Sequence, residues 1–245
     1  MQSFKNFINE DIRGAGAVLS VKPSSQEDRN IIHEPKIDDR KSANMMASFQ
    51  HGENVKMNRN MRLGQKLSNS SVSPHVDINT ALQNVIGRNS EKKGRAISHP
   101  GVFYHGQTHD PVPDKNGIIT HKGFTSWSSD PGVAMQFVKH KGESKGNEVE
   151  AHHVFVMHHD PKNEVGHALF SLHSKEHSSA PRREEEAVGG PVRYKVTHSD
   201  YVGDHPKTGK PVFEYHVRPY ESHPMWNSKS SGKLSKDEED RVKSW

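Results

Sequence analysis

The apolar positions of this chain fall into regimes. Within Met1 to Glu10, Phe4, Phe7 and Ile8 share one helical face. From Asp11 to about Pro74 apolar residues are scattered among Ser, Asn, Lys, Asp and Gln without a sustained period, as in Lys22-Pro23-Ser24-Ser25-Gln26 and Ser68-Asn69-Ser70-Ser71. Such a pattern assembles no packed core, so this stretch is expected to be largely disordered, with a brief helix around Met45 to Phe49. Regular patterning begins at Asp77, placed to cap a helix carrying Ile78, Leu82, Val85 and Ile86, with Gly87 near its end. Val102 to His105 reads as a strand stopped by Gly106, and Gly123 to Ser128 as a second strand. Ser129-Asp130-Pro131 then starts a helix with Val133, Ala134, Phe137 and Val138 inward. Further strands are expected at Val154 to Met157, Val192 to Val196 and Val212 to Val217. Strands with a few interposed helices predict an α+β domain. The expected divisions are 1–10, 11–75, a folded domain over 76–220, and a polar tail over 221–245 with a short charged helix near Lys236 to Trp245.

Composition narrows this picture to one compact domain. Only 30% of the 245 residues are hydrophobic and the mean hydropathy is −0.93, too polar for a uniformly folded chain to offset its conformational entropy. The absence of cysteine excludes disulfides, thiolate nucleophiles and cysteine-ligated zinc. No apolar run approaches membrane-spanning length, and no signal-peptide core follows Met1, so no membrane partner is expected. Basic and acidic residues are interspersed at a net charge of +4, which makes nucleic-acid recognition a minority reading.

Three pieces carry candidate chemistry, and their order matters more than any one of them. The first is Phe103-Tyr104-His105-Gly106 at a strand end. The second is Phe124-Thr125-Ser126-Trp127-Ser128 leading into the helix with Val133, Ala134 and Phe137. The third is Glu184-Glu185-Glu186-Ala187-Val188 ahead of the strand at Arg193 to Thr197.

This arrangement resembles the mono-ADP-ribosyltransferases of the arginine-serine-glutamate type, including those encoded by tailed phages, over about Gly101 to Val217. Phe124, Ser126, Ser128, Val133, Ala134 and Phe137 match the family's Phe-x-Ser-Thr-Ser strand and following Val-Ala-x-x-Phe helix, with Trp127 replacing the middle Thr. Glu184-x-Glu186 matches the Glu-x-Glu motif. His105 stands where that family carries Arg, a departure that resembles the diphtheria-toxin and poly-ADP-ribose polymerase branch. The resemblance implies an ADP-ribosyltransferase-like α+β fold of two packed antiparallel sheets with flanking helices, NAD as substrate in the cleft between them, and no metal.

Breaking the nicotinamide–ribose bond develops positive charge on the sugar, which a nearby carboxylate stabilises while accepting the 2′-hydroxyl hydrogen bond. Glu186 is assigned that role. Glu184 faces the acceptor, which the resemblance implies is arginine of a host protein such as transcription or translation machinery. Ser126 is expected to hydrogen-bond Glu186 and hold its rotamer. His105 is expected to bind the adenosine ribose or the pyrophosphate, and the backbone of Gly106 the nicotinamide carboxamide. Tyr104 and Trp127 are the residues expected to flank the nicotinamide. Two alternatives stay open: an NAD glycohydrolase with water as acceptor, and a non-catalytic packaged phage head protein.

Each feature also has a plain reading. Glu184 to Glu186 beside two arginines can be a solvated charge run, Ser126 and Ser128 the outer face of a half-buried strand, and His105 a structural histidine. The 19 histidines include His152, His153, His158, His159, His167, His173 and His177. No His-Glu-x-x-His motif accompanies them, so no metal ligand set is expected. Finally, Met1 to Glu10 resembles the capsid-targeting propeptide of T-even-type internal head proteins, whose protease site matches Ile8-Asn9-Glu10. That resemblance implies a virion location in the phage head, non-specific association with DNA there, and later entry into the host cytoplasm.

Overall fold

The computed structural model describes residues 100–107, 111, 113–142, 150–160, 169–171, 186–190, 192–222 and 236–237. The expected propeptide, the 11–75 segment, the helix after Asp77 and most of the tail lie outside them. Eight strands are described: β1 (Gly101–Gln107), β2 (Ile118–His121), β3 (Thr125–Ser128), β4 (His152–His159), β5 (Leu169–Ser171), β6 (Glu186–Gly189), β7 (Val192–Asp204) and β8 (Pro211–Ser222). One long helix, α1 (Pro131–Gly142), follows β3.

The strands hydrogen-bond in the order β2-β7-β8-β4-β1-β3-β6-β5, and every pair is antiparallel except β4 with β8, which is parallel. The expectation of two antiparallel sheets is therefore corrected to one continuous mixed sheet. Its layering comes from curvature. Tyr194 on β7 and Trp127 on β3 are four strand spacings apart along the hydrogen-bonded order, about 19 Å in a flat sheet. Their ring centroids nevertheless lie 5.6 Å apart. His121 on β2 likewise meets Phe155 on β4 at 5.3 Å. The sheet curls so that its β2–β7 end faces its β3–β6 end, and a single cluster of Phe103, Ile119, Trp127, Phe155, Met157, Ala187, Val192, Tyr194 and Val217 fills the space between.

The opposite face is covered by α1. Tyr104, Val154, Val156 and Val212 pack there with Ala134, Met135 and Val138. With both faces covered, β1 and β4 are central strands. That is why Val154 to Met157 reads as a continuous apolar run rather than an alternation.

Local chemistry sets the start of α1. The Asp130 carboxylate accepts the Gly132 amide at 2.8 Å, and Ser128 Oγ accepts the Asp130 amide at 3.0 Å. Pro131 lacks an amide hydrogen at the first helical position, where none is needed. The start expected from Ser129-Asp130-Pro131 is thus found, but one side chain is corrected. Phe137 is 43% exposed, and the buried positions are Val133, Ala134, Met135 and Val138. Gly106 does not end β1, which runs on to Gln107. β7 and β8 extend beyond the expected 192–196 and 212–217 into a long hairpin with three register shifts. Its turn is closed by the His205 amide to the Lys210 carbonyl at 2.8 Å, and Gly209 supplies the positive φ of 65°.

Candidate functional site

The three motif pieces converge at β1, β3 and β6. In the β3–β6 ladder Ser128 lies opposite Glu186, Trp127 opposite Ala187 and Ser126 opposite Val188. Ser128 also lies opposite Tyr104 of β1. One row of backbone positions therefore crosses the three strands as Tyr104, Ser128 and Glu186. Glu186 is itself the first residue of β6, so the strand begins at the motif instead of following it. Glu184 lies outside the described residues.

The register distinguishes the two serines. Ser128 is Glu186's direct cross-strand neighbour, whereas Ser126 is its diagonal neighbour, about 7–8 Å away by Cα in an antiparallel pair. Ser128 is buried and its hydroxyl serves the start of α1. Ser126 is half-buried and keeps surface that a ligand can reach.

The seam between β1 and β3 is short. Tyr104↔Ser128 is its single paired position, while β1 continues along β4 through His105↔Phe155, Gly106↔Val154 and Gln107↔His153. Past Tyr104 the two strands are tied instead by the His105 side chain, whose Nδ1 donates to the Ser126 carbonyl at 2.8 Å. With Nδ1 donating, Nε2 is the acceptor nitrogen of the neutral ring. The His105 ring is half-buried inside the curl, parallel to Phe155 at 6.0 Å and tilted on Trp127 at 5.6 Å. Its edge meets His121 at 5.8 Å. His121 Nδ1 in turn lies 3.0 Å from Thr125 Oγ1. His121 was missed from sequence because it sits among turn residues without periodicity; a histidine four residues before a strand Thr is too weak a signal to find it.

Gly106 is explained by packing. A Cβ there would lie 2.1 Å from the Ala134 carbonyl oxygen and 2.7 Å from Val138 Cγ2. The missing side chain admits α1. Tyr104 and Trp127 are each 1% exposed, one under α1 and the other inside the curl. Neither offers surface to a nicotinamide, so their expected flanking role is corrected to a core role.

Of the histidines weighed for a metal, His167, His173 and His177 lie outside the described residues. His152, His153, His158 and His159 are on β4. Burial, reinforced by the charges of His205, Lys210 and His153, pushes the His152 imidazole down to about 4.

No protein-family model matches the sequence, and no curated protein matches it. Solved structures do. A point variant of the enzymatic component C2-I of the C2-toxin from Clostridium botulinum aligns with a TM-score of 0.50 at 10% identity, over 88% of this chain and 47% of that one. The Vis toxin, an ADP-ribosyltransferase from Vibrio splendidus, gives 0.47 at 13% identity over 89% of this chain and 84% of its own. Plx2a, an ADP-ribosyltransferase toxin from Paenibacillus larvae, gives 0.46 at 9% identity over 89% and 94%. At such identities the likeness is one of architecture alone: the curled mixed sheet with its covering helix is similar in fold to the C2-I enzymatic component.

Proposed function

We propose that the chain transfers ADP-ribose from NAD to a protein, with arginine as the acceptor residue. One observation carries this reading. The Ser-x-Ser strand β3 and the Glu186 strand β6 are hydrogen-bonded neighbours, in a register that sets Glu186 opposite Ser128 and diagonal to Ser126. They adjoin the seam where β1 and β3 part at His105. The strands that carry the three motifs, β1, β3 and β6, are thus consecutive neighbours in one sheet.

In the proposed step the bond between ribose C1′ and nicotinamide nitrogen breaks, and nicotinamide leaves with the electron pair. Glu186 stabilises the oxocarbenium-like sugar and accepts the 2′-hydroxyl. A guanidinium nitrogen of the acceptor forms the new bond to C1′, and Glu184 takes its proton. Ser126, on the diagonal, orients Glu186, because a glutamate side chain is long enough to reach that position. His105 holds the β1–β3 seam through Nδ1 and is the residue assigned to the ribose or pyrophosphate side of NAD.

The test is incubation of the full chain with labelled NAD, using a bacterial lysate and agmatine, a simple guanidine, as separate acceptors. Glu186→Gln runs alongside. Label on protein and on agmatine, lost in the variant, is the expected result. Nicotinamide release without labelling transfers the reading to water as acceptor. If NAD neither binds nor is cleaved, the catalytic proposal is overturned.

A further inference from the structure

Away from the β1–β3 seam, three neighbouring strands bring together three imidazoles and two carboxylates: His158 on β4, Glu214 and His216 on β8, and His198 and Asp200 on β7. The register makes the gathering a property of the sheet. His198 lies opposite His216 and Asp200 opposite Glu214, while Val156, two residues before His158, lies opposite His216.

Glu214 is fully buried, and its Oε2 lies 3.2 Å from Nε2 of His216, whose side chain is 6% exposed. A buried carboxylate against one imidazole nitrogen holds the proton there and leaves Nδ1 as the lone-pair nitrogen, the arrangement found behind metal-bound histidines. Nδ1 of His216 lies 3.4 Å from Nε2 of His158. Two nitrogens that share a tetrahedral zinc at bond lengths near 2.0–2.1 Å are about 3.4 Å apart. His198 Nε2 and Asp200 Oδ2 are separated by 3.6 Å, and one ligand atom each from His198, Asp200 and His216 lies within 4.8 Å of the others. The His198 ring stacks on that of His216 at 3.9 Å, and the side chains of His198 and Asp200 are 55% and 58% exposed, so the His198 ring has room to turn out of the stack and point a nitrogen at an ion. Two carboxylates, Asp200 and Glu214, thus belong to the cluster, and Arg218 follows His216 by two residues on β8.

We propose that this cluster is a zinc site. His158, His198, Asp200 and His216 are its ligands, and Glu214 positions His216 through Nε2. Imidazole and carboxylate donors in a tetrahedral set suit Zn²⁺ among the common divalent ions. The bound ion ties β4, β8 and β7 together, clamping the long β7–β8 hairpin to the centre of the sheet. The site is independent of the proposed transferase reaction and stands whether or not that reaction is found.

The test uses the full chain freed of metal by a chelator and titrated calorimetrically with Zn²⁺ alone. His198→Ala and Asp200→Asn serve as variants because both side chains are exposed and their loss leaves the core intact. One site of micromolar affinity or better is expected, weakened about 100-fold in His198→Ala and at least 10-fold in Asp200→Asn and Glu214→Gln. Co²⁺ loaded in place of zinc is expected to give the strong visible absorption of a four-coordinate ion, lost in His198→Ala. Failure of the wild-type chain to bind Zn²⁺ at micromolar concentrations overturns the proposal, leaving His158 and His216 joined by an N–H···N hydrogen bond. Unchanged binding in both exposed variants also overturns it, because the ion then sits on other histidines.

Discussion

The Ala134 carbonyl oxygen of α1 lies directly over Gly106 of β1, 2.1 Å from where a Cβ would be, with Val138 Cγ2 at 2.7 Å. Both neighbours belong to the face of the helix that packs on the sheet, and one of them is backbone. A side chain at 106 is accommodated only by lifting α1 off β1. Gly106→Ala is therefore expected to destabilise the domain by about 3 kcal/mol, at the upper end for overpacking. Urea denaturation with unchanged midpoint and slope would show that the helix gives way freely.

The same helix yields a second contrast. Met135 is fully buried between Tyr104 and the β4 valines, whereas Phe137, two residues on, is 43% exposed. Met135→Ala is expected to cost about 2–4 kcal/mol, and Phe137→Ser, at a half-covered surface position, about 1 kcal/mol. Comparable losses for the two in thermal melts would mean that Phe137 is covered in solution.

How far these features were legible in the sequence follows from what hydrophobic patterning reports. It reports burial, so the run Val154 to Met157 and the cap-and-proline start at Asp130-Pro131 were readable. It is silent on which buried face meets which. The curl that joins Trp127 to Tyr194 depends on strand order, and nothing local encodes that order. The outer half of the β7–β8 hairpin was invisible because Thr197 to Tyr201 is polar and exposed on both faces; pairing with β8, rather than burial, makes it a strand. At the candidate site, the motif spacing pointed to Ser126, Ser128 and Glu186 but not to their register. Tyr104 and Trp127 look like ligand-flanking aromatics in sequence, and burial is the property that sequence could not assign to them.

The register separates two serines that the motif treats alike. Ser128→Ala removes the acceptor of the Asp130 amide at the start of α1 and is expected to cost about 1 kcal/mol of stability. Ser126→Ala is expected to leave stability within about 0.5 kcal/mol and to lower NAD turnover roughly tenfold through loss of Glu186 positioning. Paired measurements of melting temperature and nicotinamide release decide this. A stability loss confined to Ser126→Ala would reverse the assignment.

His152 makes the fold sensitive to acid. It lies on β4 with 4% exposure, its Nε2 is 2.7 Å from Thr208 Oγ1, and the His205 ring is 4.9 Å away across the β7–β8 turn. Burial holds its imidazole at about 4 in the folded chain, against 6.5 for the free side chain. Between these values the unfolded chain binds the proton and the folded chain does not, so unfolding is favoured as pH falls. Stability is thus fully retained above about pH 6.5 and lost progressively toward pH 4, by an amount on the order of 2 kcal/mol once partial solvation is allowed for. Denaturant midpoints taken at neutral pH and at pH 5 for wild type and His152→Gln check this. The variant is expected to be less stable at neutral pH because the ring packing is lost, yet to show a shallower fall on acidification. An equal fall in both proteins would assign the acid sensitivity to other groups, with His158 on the same strand, whose imidazole is also lowered by burial, the next to substitute.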